Sequence, residues 1–70
     1  MSTVITVSIN GEARQLPSGV TVASLIDEMG LAGKRIALER NGEIVPRSTF
    51  AALRLSQNDK LEIVVAVGGG

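Results

Sequence analysis

Two Asn-Gly pairs, at residues 10–11 and 41–42, constrain the fold of this chain more than any other feature of its sequence. Asn-Gly is the pair favoured in the tight two-residue turns of β-hairpins, because both central residues of such a turn need a positive φ. Apolar and polar residues alternate through residues 3–9, before the first pair, and residues 12–16 follow it. One face of the first segment carries Ile5, Val7 and Ile9. The sequence therefore predicts a β-hairpin at this end of the chain.

The second Asn-Gly pair predicts a second hairpin. Its strands are residues 36–40 and a short segment at 43–45, which Pro46 ends because proline cannot donate a ladder hydrogen bond. A last strand is predicted at residues 60–67, after the turn residues Asn58 and Asp59. The residues of this strand that alternate inward are Leu61, Ile63 and Val65.

A helix is predicted between the two hairpins, because four apolar residues recur there at the spacing of one helix face. They are Val22, Leu25, Ile26 and Met29. Thr21 suits the N-cap, and Gly30 suits the left-handed position that follows a helix C-terminus. So short a helix is unstable alone and must lie on the sheet. Residues 48–55, which include Phe50, predict only a short helical turn.

This order of elements predicts an α+β fold of the β-grasp (ubiquitin-like) class, with a mixed sheet of four to five strands and one helix packed across one face. A right-handed crossover would place either the last strand or the third beside the first. Residues 1–67 are expected to form this single domain. Residues 68–70 are expected to be a flexible tail, because glycine has no side chain to pack and the largest backbone entropy.

The charges of the chain exclude two classes of partner. Seven basic and seven acidic residues cancel, and the basic ones are scattered instead of clustered. Neither a nucleic acid nor a membrane is therefore expected as a partner. No apolar run approaches the ~20 residues that span a bilayer, and the first residues do not resemble a signal peptide, so a cytoplasmic location is expected.

The chain has neither histidine nor cysteine. The usual nitrogen and sulfur ligands of metals, the most common general base and the strongest nucleophile are therefore missing, and no bound metal or cofactor is expected. All seven carboxylates are interpreted as solvated surface charges. They are Glu12, Asp27, Glu28, Glu39, Glu43, Asp59 and Glu62. An enzyme in its own right is consequently the least favoured class of function.

The chemistry of this chain is predicted at Gly68, Gly69 and Gly70. A tail without side chains can enter a narrow channel of a partner enzyme. Attack of the Gly70 carboxylate on the α-phosphate of ATP would give a mixed anhydride with AMP, and a sulfur nucleophile could then displace AMP to leave a thiocarboxylate. The partner would supply the ATP site and magnesium. A frayed terminus is the simpler interpretation of three glycines taken alone.

Four sequence features together resemble a known family. They are the segment Asn41-Gly42-x-Ile44-Val45-Pro46-Arg47, an aromatic residue three positions later, the segment Asp59-x-Leu61-Glu62-Ile63 and the Gly-Gly terminus. The chain resembles the ThiS family, the sulfur carriers of thiamine thiazole biosynthesis. The resemblance implies that an E1-like, ThiF-like adenylyltransferase activates Gly70 with ATP. It also implies a sulfur donor protein and a ThiG-like thiazole synthase that receives the sulfur.

Other functions share this fold and tail, so the fold does not decide the pathway. The small subunit of molybdopterin synthase and ubiquitin-related covalent modifiers are alternatives, and a non-covalent interaction domain with an idle tail is a third. The segment Val45-Pro46-Arg47 favours the thiazole carrier.

The sheet face opposite the helix is a candidate partner surface. Val4, Val64 and Ala66 are expected on this face if the first and last strands are neighbours, and they would form an apolar patch that a docking enzyme could cover. Arg47 is either a further partner contact or a solvated charge.

Overall fold

The structure, a computed structural model, describes residues 3–66. The predicted domain boundary at residue 67 and the predicted tail at 68–70 lie outside the described residues. Within this range the elements follow the order that the sequence predicts. They are β1 (Val4–Ile9), β2 (Glu12–Pro17), α1 (Val22–Glu28), β3 (Ile36–Arg40), β4 (Glu43–Ile44), a 3-10 turn (Arg47–Thr49) and β5 (Lys60–Val65).

The strands form one mixed sheet in the order β2-β1-β5-β3-β4. β1 and β2 are antiparallel, as are β3 and β4, whereas β5 runs parallel to β1 and antiparallel to β3. Of the two positions open to the crossover, the last strand rather than the third lies beside the first. The sheet with one helix across it confirms the predicted β-grasp fold and places β5 at its centre.

Both Asn-Gly pairs form the predicted turns. The φ angles are 51° at Asn10 and 87° at Gly11, and 52° at Asn41 and 86° at Gly42. Positive φ at both central residues matches the right-handed twist of the flanking strands, which is why this turn type closes hairpins well.

The ends of the helix follow from local sequence. The Thr21 hydroxyl accepts a hydrogen bond of 3.2 Å from the N–H of Ser24, which satisfies one of the free donors of the first turn. Gly30 has a φ of 74°, and the N–H of Leu31 donates to the carbonyl of Ile26 over 2.9 Å. This pattern satisfies the last free carbonyls of the helix and stops it at the predicted position.

Replacement of Thr21 by alanine is expected to lower the free energy of unfolding by about 1 kcal/mol, because the N–H of Ser24 loses its acceptor. In a domain of this size that loss corresponds to a fall of about 4–8 °C in Tm. Thermal unfolding followed by circular dichroism measures it. Thr21→Ser retains the hydroxyl and is the control, so an equal loss in both variants would contradict a capping role.

The core lies between the helix and the inner face of the sheet. Its buried residues are Ile5, Val7, Ile9, Leu16, Val22, Leu25, Ile26, Leu38, Val45, Phe50, Leu55, Leu61 and Ile63. The prediction that Val65 also packs inward is wrong, since this residue is 41% exposed. β1 pairs with β5 only as far as Ile9 and Leu61, so Val65 extends beyond the neighbouring strand that would have covered it.

Candidate functional site

The sheet holds the end of β5 from the side of β3. Val65 is the register partner of Ile36, and the N–H of Ala66 donates to the carbonyl of Arg35 over 2.9 Å. Leu61 and Ile63, earlier in the strand, are buried in the core. Core packing and pairing with β3 therefore both determine the position of Ala66, the last described residue.

Asn10 holds β5 from the other side, where β1 has ended. Its Nδ2 donates to the carbonyl of Ile63 over 3.0 Å, and its Oδ1 accepts from the N–H of Ile63 over 2.7 Å. The side-chain amide thus pairs with β5 as a backbone peptide would. Sequence reasoning identified Asn10 only as a turn residue, because the partner lies 53 residues away.

The prediction that all seven carboxylates are solvated surface charges is wrong for Asp59. This residue is buried, with only 5% of its surface exposed. Its Oδ2 accepts from Arg40 Nε over 2.9 Å and from the N–H of Ser56 over 2.8 Å, and its Oδ1 accepts from Asn41 Nδ2 over 3.1 Å. These bonds join the end of β3 and its turn to the entry of β5. The residue is therefore structural.

The same contacts determine the ionisation of Asp59. Burial acts to raise its pKa, but three hydrogen bonds and the nearby charge of Arg40 outweigh that effect and hold the pKa below the ordinary value. The donors are the N–H of Ser56 and the side chains of Asn41 and Arg40. Asp59 is consequently a carboxylate at neutral pH, with its oxygens already bonded, and is a poor general acid or base.

Arg47 uses its guanidinium within the chain. Its Nη2 donates to the carbonyl of Lys34, in the loop that precedes β3. The turn that begins at Arg47 leads to Phe50, whose carbonyl accepts from the N–H of Ala23 over 2.9 Å. Arg47 therefore lies beside the helix and joins two loops, whereas Val64 lies on the opposite face of the sheet.

The three aliphatic residues of the predicted patch do not come together. Val4 and Val64 are 43% and 64% exposed and share the face opposite the helix. β1 and β5 are parallel with Ser8 opposite Lys60, so Val4 lies four residues before this pair and Val64 four residues after it. At the rise of a strand, this separates them by about 26 Å. Val64 and Ala66 remain together near the exit of the chain, and Val4 is at the far end.

The described residues provide little else for chemistry. A groove of about 260 Å³ lies beside β4, lined in part by Ile44, Pro46 and Leu53, and is smaller than most small-molecule sites. Between residues 3 and 66, no three acidic side chains approach closely enough to hold a metal ion. No helix in that range has the length and apolar character to cross a membrane. The predicted reactive tail, Gly68, Gly69 and Gly70, lies outside the described residues.

Several known proteins are similar to this chain. Two are thiazole synthases, from Paramagnetospirillum magneticum (47% identity over 62 residues) and from Magnetococcus marinus (36% over 64). The matches include 89% and 91% of this chain but only 19% and 20% of the synthases, so the chain spans about a fifth of their length. The ycf40 protein of Pyropia yezoensis is 32% identical over 66 residues, which make up 94% of this chain and 93% of that protein.

A solved structure and a family model agree with these similarities. The crystal structure of the thiamine biosynthesis protein ThiS from Geobacter metallireducens superposes with a TM-score of 0.79 at 25% identity, and the match includes 94% of this chain and all of that one. The model of the ThiS family matches residues 7–70. This match runs from Val7 in β1 through the helix, the second hairpin and β5 to Gly70, and the chain therefore belongs to the ThiS family.

Proposed function

We propose that this protein is a sulfur carrier that serves the formation of the thiazole moiety of thiamine, and that its working group is the carboxylate of Gly70. The observation that carries the proposal is the family match, which extends through Gly70. The similarity to two thiazole synthases supports a ThiG-like enzyme as the acceptor of the sulfur.

The proposed reaction has two steps. A carboxylate oxygen of Gly70 attacks the α-phosphate of ATP, pyrophosphate leaves, and an acyl-adenylate forms. A hydrosulfide ion delivered by a donor protein then attacks the acyl carbon, the bond from this carbon to AMP breaks, and a thiocarboxylate remains after loss of the S–H proton. Enzymes catalyse phosphoryl and nucleotidyl transfer mainly by positioning the reactants and stabilising negative charge. The ThiF-like partner would do both, because it would bind ATP and magnesium. The carrier itself would supply only a reachable carboxylate, and it would not be an enzyme.

The fold suits a carrier of this kind. β5 is the central strand, and hydrogen bonds fix its last residues on both sides. On one side the N–H of Ala66 donates to the carbonyl of Arg35. On the other side the side-chain amide of Asn10 pairs with the backbone of Ile63. Gly70 lies four residues after Ala66, and four residues of chain span at most about 14 Å. The carboxylate would therefore act close to the domain, and a partner that reaches it would also contact the surface near Val64.

Intact-mass spectrometry tests the proposal. The purified chain is incubated with ATP and an extract of thiamine-starved cells, beside a chain from which Gly70 has been deleted. We expect the full chain alone to gain the mass that corresponds to exchange of one oxygen for one sulfur. Conjugates joined to lysines of other proteins would instead support a covalent modifier. An unchanged mass with an intact tail would support a non-covalent interaction domain.

Replacement of Val64 by aspartate is expected to reduce kcat/KM for adenylation by at least about tenfold, because docking of the partner would have to remove water from a carboxylate where it otherwise covers an aliphatic side chain. Val64 is 64% exposed, so the variant should remain folded with a small change in Tm. Pyrophosphate exchange with the ThiF-like enzyme measures the rate. Val4→Asp is the matched control, since Val4 shares the face but lies at its far end. Equal rates for Val64→Asp and the wild type would contradict docking near the tail.

A further inference from the structure

Two carboxylates oppose each other on the face of the sheet that the helix does not cover. Glu39 of β3 and Glu62 of β5 are register partners. Their chain neighbours Leu38, Leu61 and Ile63 are buried on the helix side, so by strand alternation both glutamates point the other way. Directly opposed residues in a sheet have Cβ atoms about 4.5–5.5 Å apart.

This arrangement opposes folding, because like charges directly opposite in a sheet repel each other. The ion pairs in the described part of the chain are Arg14–Glu28 and Arg40–Asp59, and neither includes these glutamates. Charges on an edge strand can prevent aggregation, but β3 and β5 are both interior strands. Neither the stability of the fold nor the protection of a sheet edge therefore explains why two glutamates are opposed here.

Aliphatic side chains flank the pair on two sides. Ile44 of β4 is the other register partner of Glu39, and Ala37 and Val64 form the next row towards the chain exit. Ile44 is 65% and Val64 64% exposed. We call these five residues the outer patch: Ala37, Glu39, Ile44, Glu62 and Val64. Lys60 also points to this face by strand alternation, but it forms no ion pair with either glutamate among the described residues.

We propose that the outer patch docks a partner surface on which a cationic side chain, best an arginine, projects between aliphatic groups. A guanidinium offers five N–H donors in a planar fork and can bond both carboxylates at once. Its contact would remove the repulsion between Glu39 and Glu62, and the aliphatic groups around it would cover Ile44 and Val64. The repulsion that destabilises the free protein would therefore favour the docked state, in which the guanidinium neutralises it.

The occupant that we infer is the enzyme that activates the tail, because the outer patch lies beside the chain exit, and this inference rests on the proposed function. Val64 lies two residues before Ala66, where the described chain ends, so an enzyme that holds the tail reaches the outer patch as well. A second copy of this chain is a poor occupant. A symmetric dimer would place the same patch on both sides and bring four carboxylates together.

The test compares Glu62→Gln and the double variant Glu39→Gln/Glu62→Gln with the wild type in pyrophosphate exchange and thermal unfolding. We expect the substitutions to raise Tm by about 1–5 °C, because a repulsion is removed. We expect them to lower kcat/KM by at least about fivefold and to weaken its dependence on ionic strength. Asp27→Asn is the matched control, because it removes one exposed charge from the helix on the other side of the sheet. It should leave kcat/KM unchanged.

Stability and activity that move in opposite directions would support the outer patch as the docking surface. Wild-type kcat/KM and salt dependence in the double variant would overturn the inference and leave the sulfur-carrier function intact. A wild-type chain that supports no exchange would overturn the proposed function, and with it the docking surface that serves it.

Discussion

Replacement of Gly69 by valine is expected to reduce adenylation of the chain by at least about 100-fold, the loss that a misplacement of about 1 Å can cause in an active site. The narrow partner channel that we propose for the tail would have no room for a Cβ and two methyl groups. Deletion of Gly70 is expected to have an effect of similar size for another reason, since it shortens the reach by about 3.5 Å. Both effects appear as kcat/KM in pyrophosphate exchange.

The tail variants must leave the domain intact for this prediction to hold. Tm should stay at the wild-type value, because none of the contacts described for residues 3–66 is changed. Ala32→Val adds bulk at an exposed loop position instead and should adenylate normally. Normal adenylation of Gly69→Val would show that the partner does not require a slim tail, and the role of the glycines would have to be abandoned.

Replacement of Asp59 by alanine is expected to lower the free energy of unfolding by about 2–4 kcal/mol. The substitution leaves Arg40 Nε and the N–H of Ser56 without their acceptor, and it removes the acceptor of Asn41 Nδ2. In a domain of this size such a loss is a large part of the total stability. Urea unfolding followed by circular dichroism gives the value.

Asp59→Asn is the matched control, because it removes the charge and retains one of the two acceptor oxygens. Its loss should be smaller, about 1–2 kcal/mol. A double-mutant cycle with Arg40→Met separates the ion pair from the other bonds. Equal losses in the alanine and asparagine variants would show that the oxygen retained by asparagine contributes nothing, and would contradict a contribution from the bonds that this oxygen accepts.

The stabilisation by Asp59 should depend on pH with a definite sign. Its folded pKa lies below the ordinary value of 3.8, so the folded state favours the carboxylate. The stabilisation is therefore fully present above the unfolded pKa and is lost as the pH falls through the folded pKa. The difference in unfolding free energy between wild type and Asp59→Asn should be constant near neutral pH and shrink below about pH 4. A constant difference down to pH 2 would contradict the lowered pKa.

Local features of this protein could be predicted with little error because their causes are local. The turns at 10–11 and 41–42 need only two residues that tolerate positive φ. The helix begins at the hydroxyl of Thr21 and ends at Gly30, and both residues act on atoms at most a few positions away. The alternation of Ile5, Val7 and Ile9 likewise depends on the period of a strand and not on its neighbours.

Errors arose where register mattered. Val4 and Val64 were correctly assigned to one face, but their separation of about 26 Å depends on the pairing of Ser8 with Lys60, which no local pattern encodes. Asp59 was taken for a solvated charge because its partner Arg40 lies 19 residues away. The opposition of Glu39 and Glu62 was missed for the same reason.

The chain's own residues thus specified the elements, their ends, the class of fold and the glycine-rich end where chemistry was predicted. Folding added the pairing of distant segments: β5 beside β1, the Asn10 amide on Ile63, the carboxylate of Asp59 among its donors, and two glutamates face to face. The physical reason is that propensities and caps act over a few residues, whereas register and burial depend on contacts between segments that only the packed core brings together.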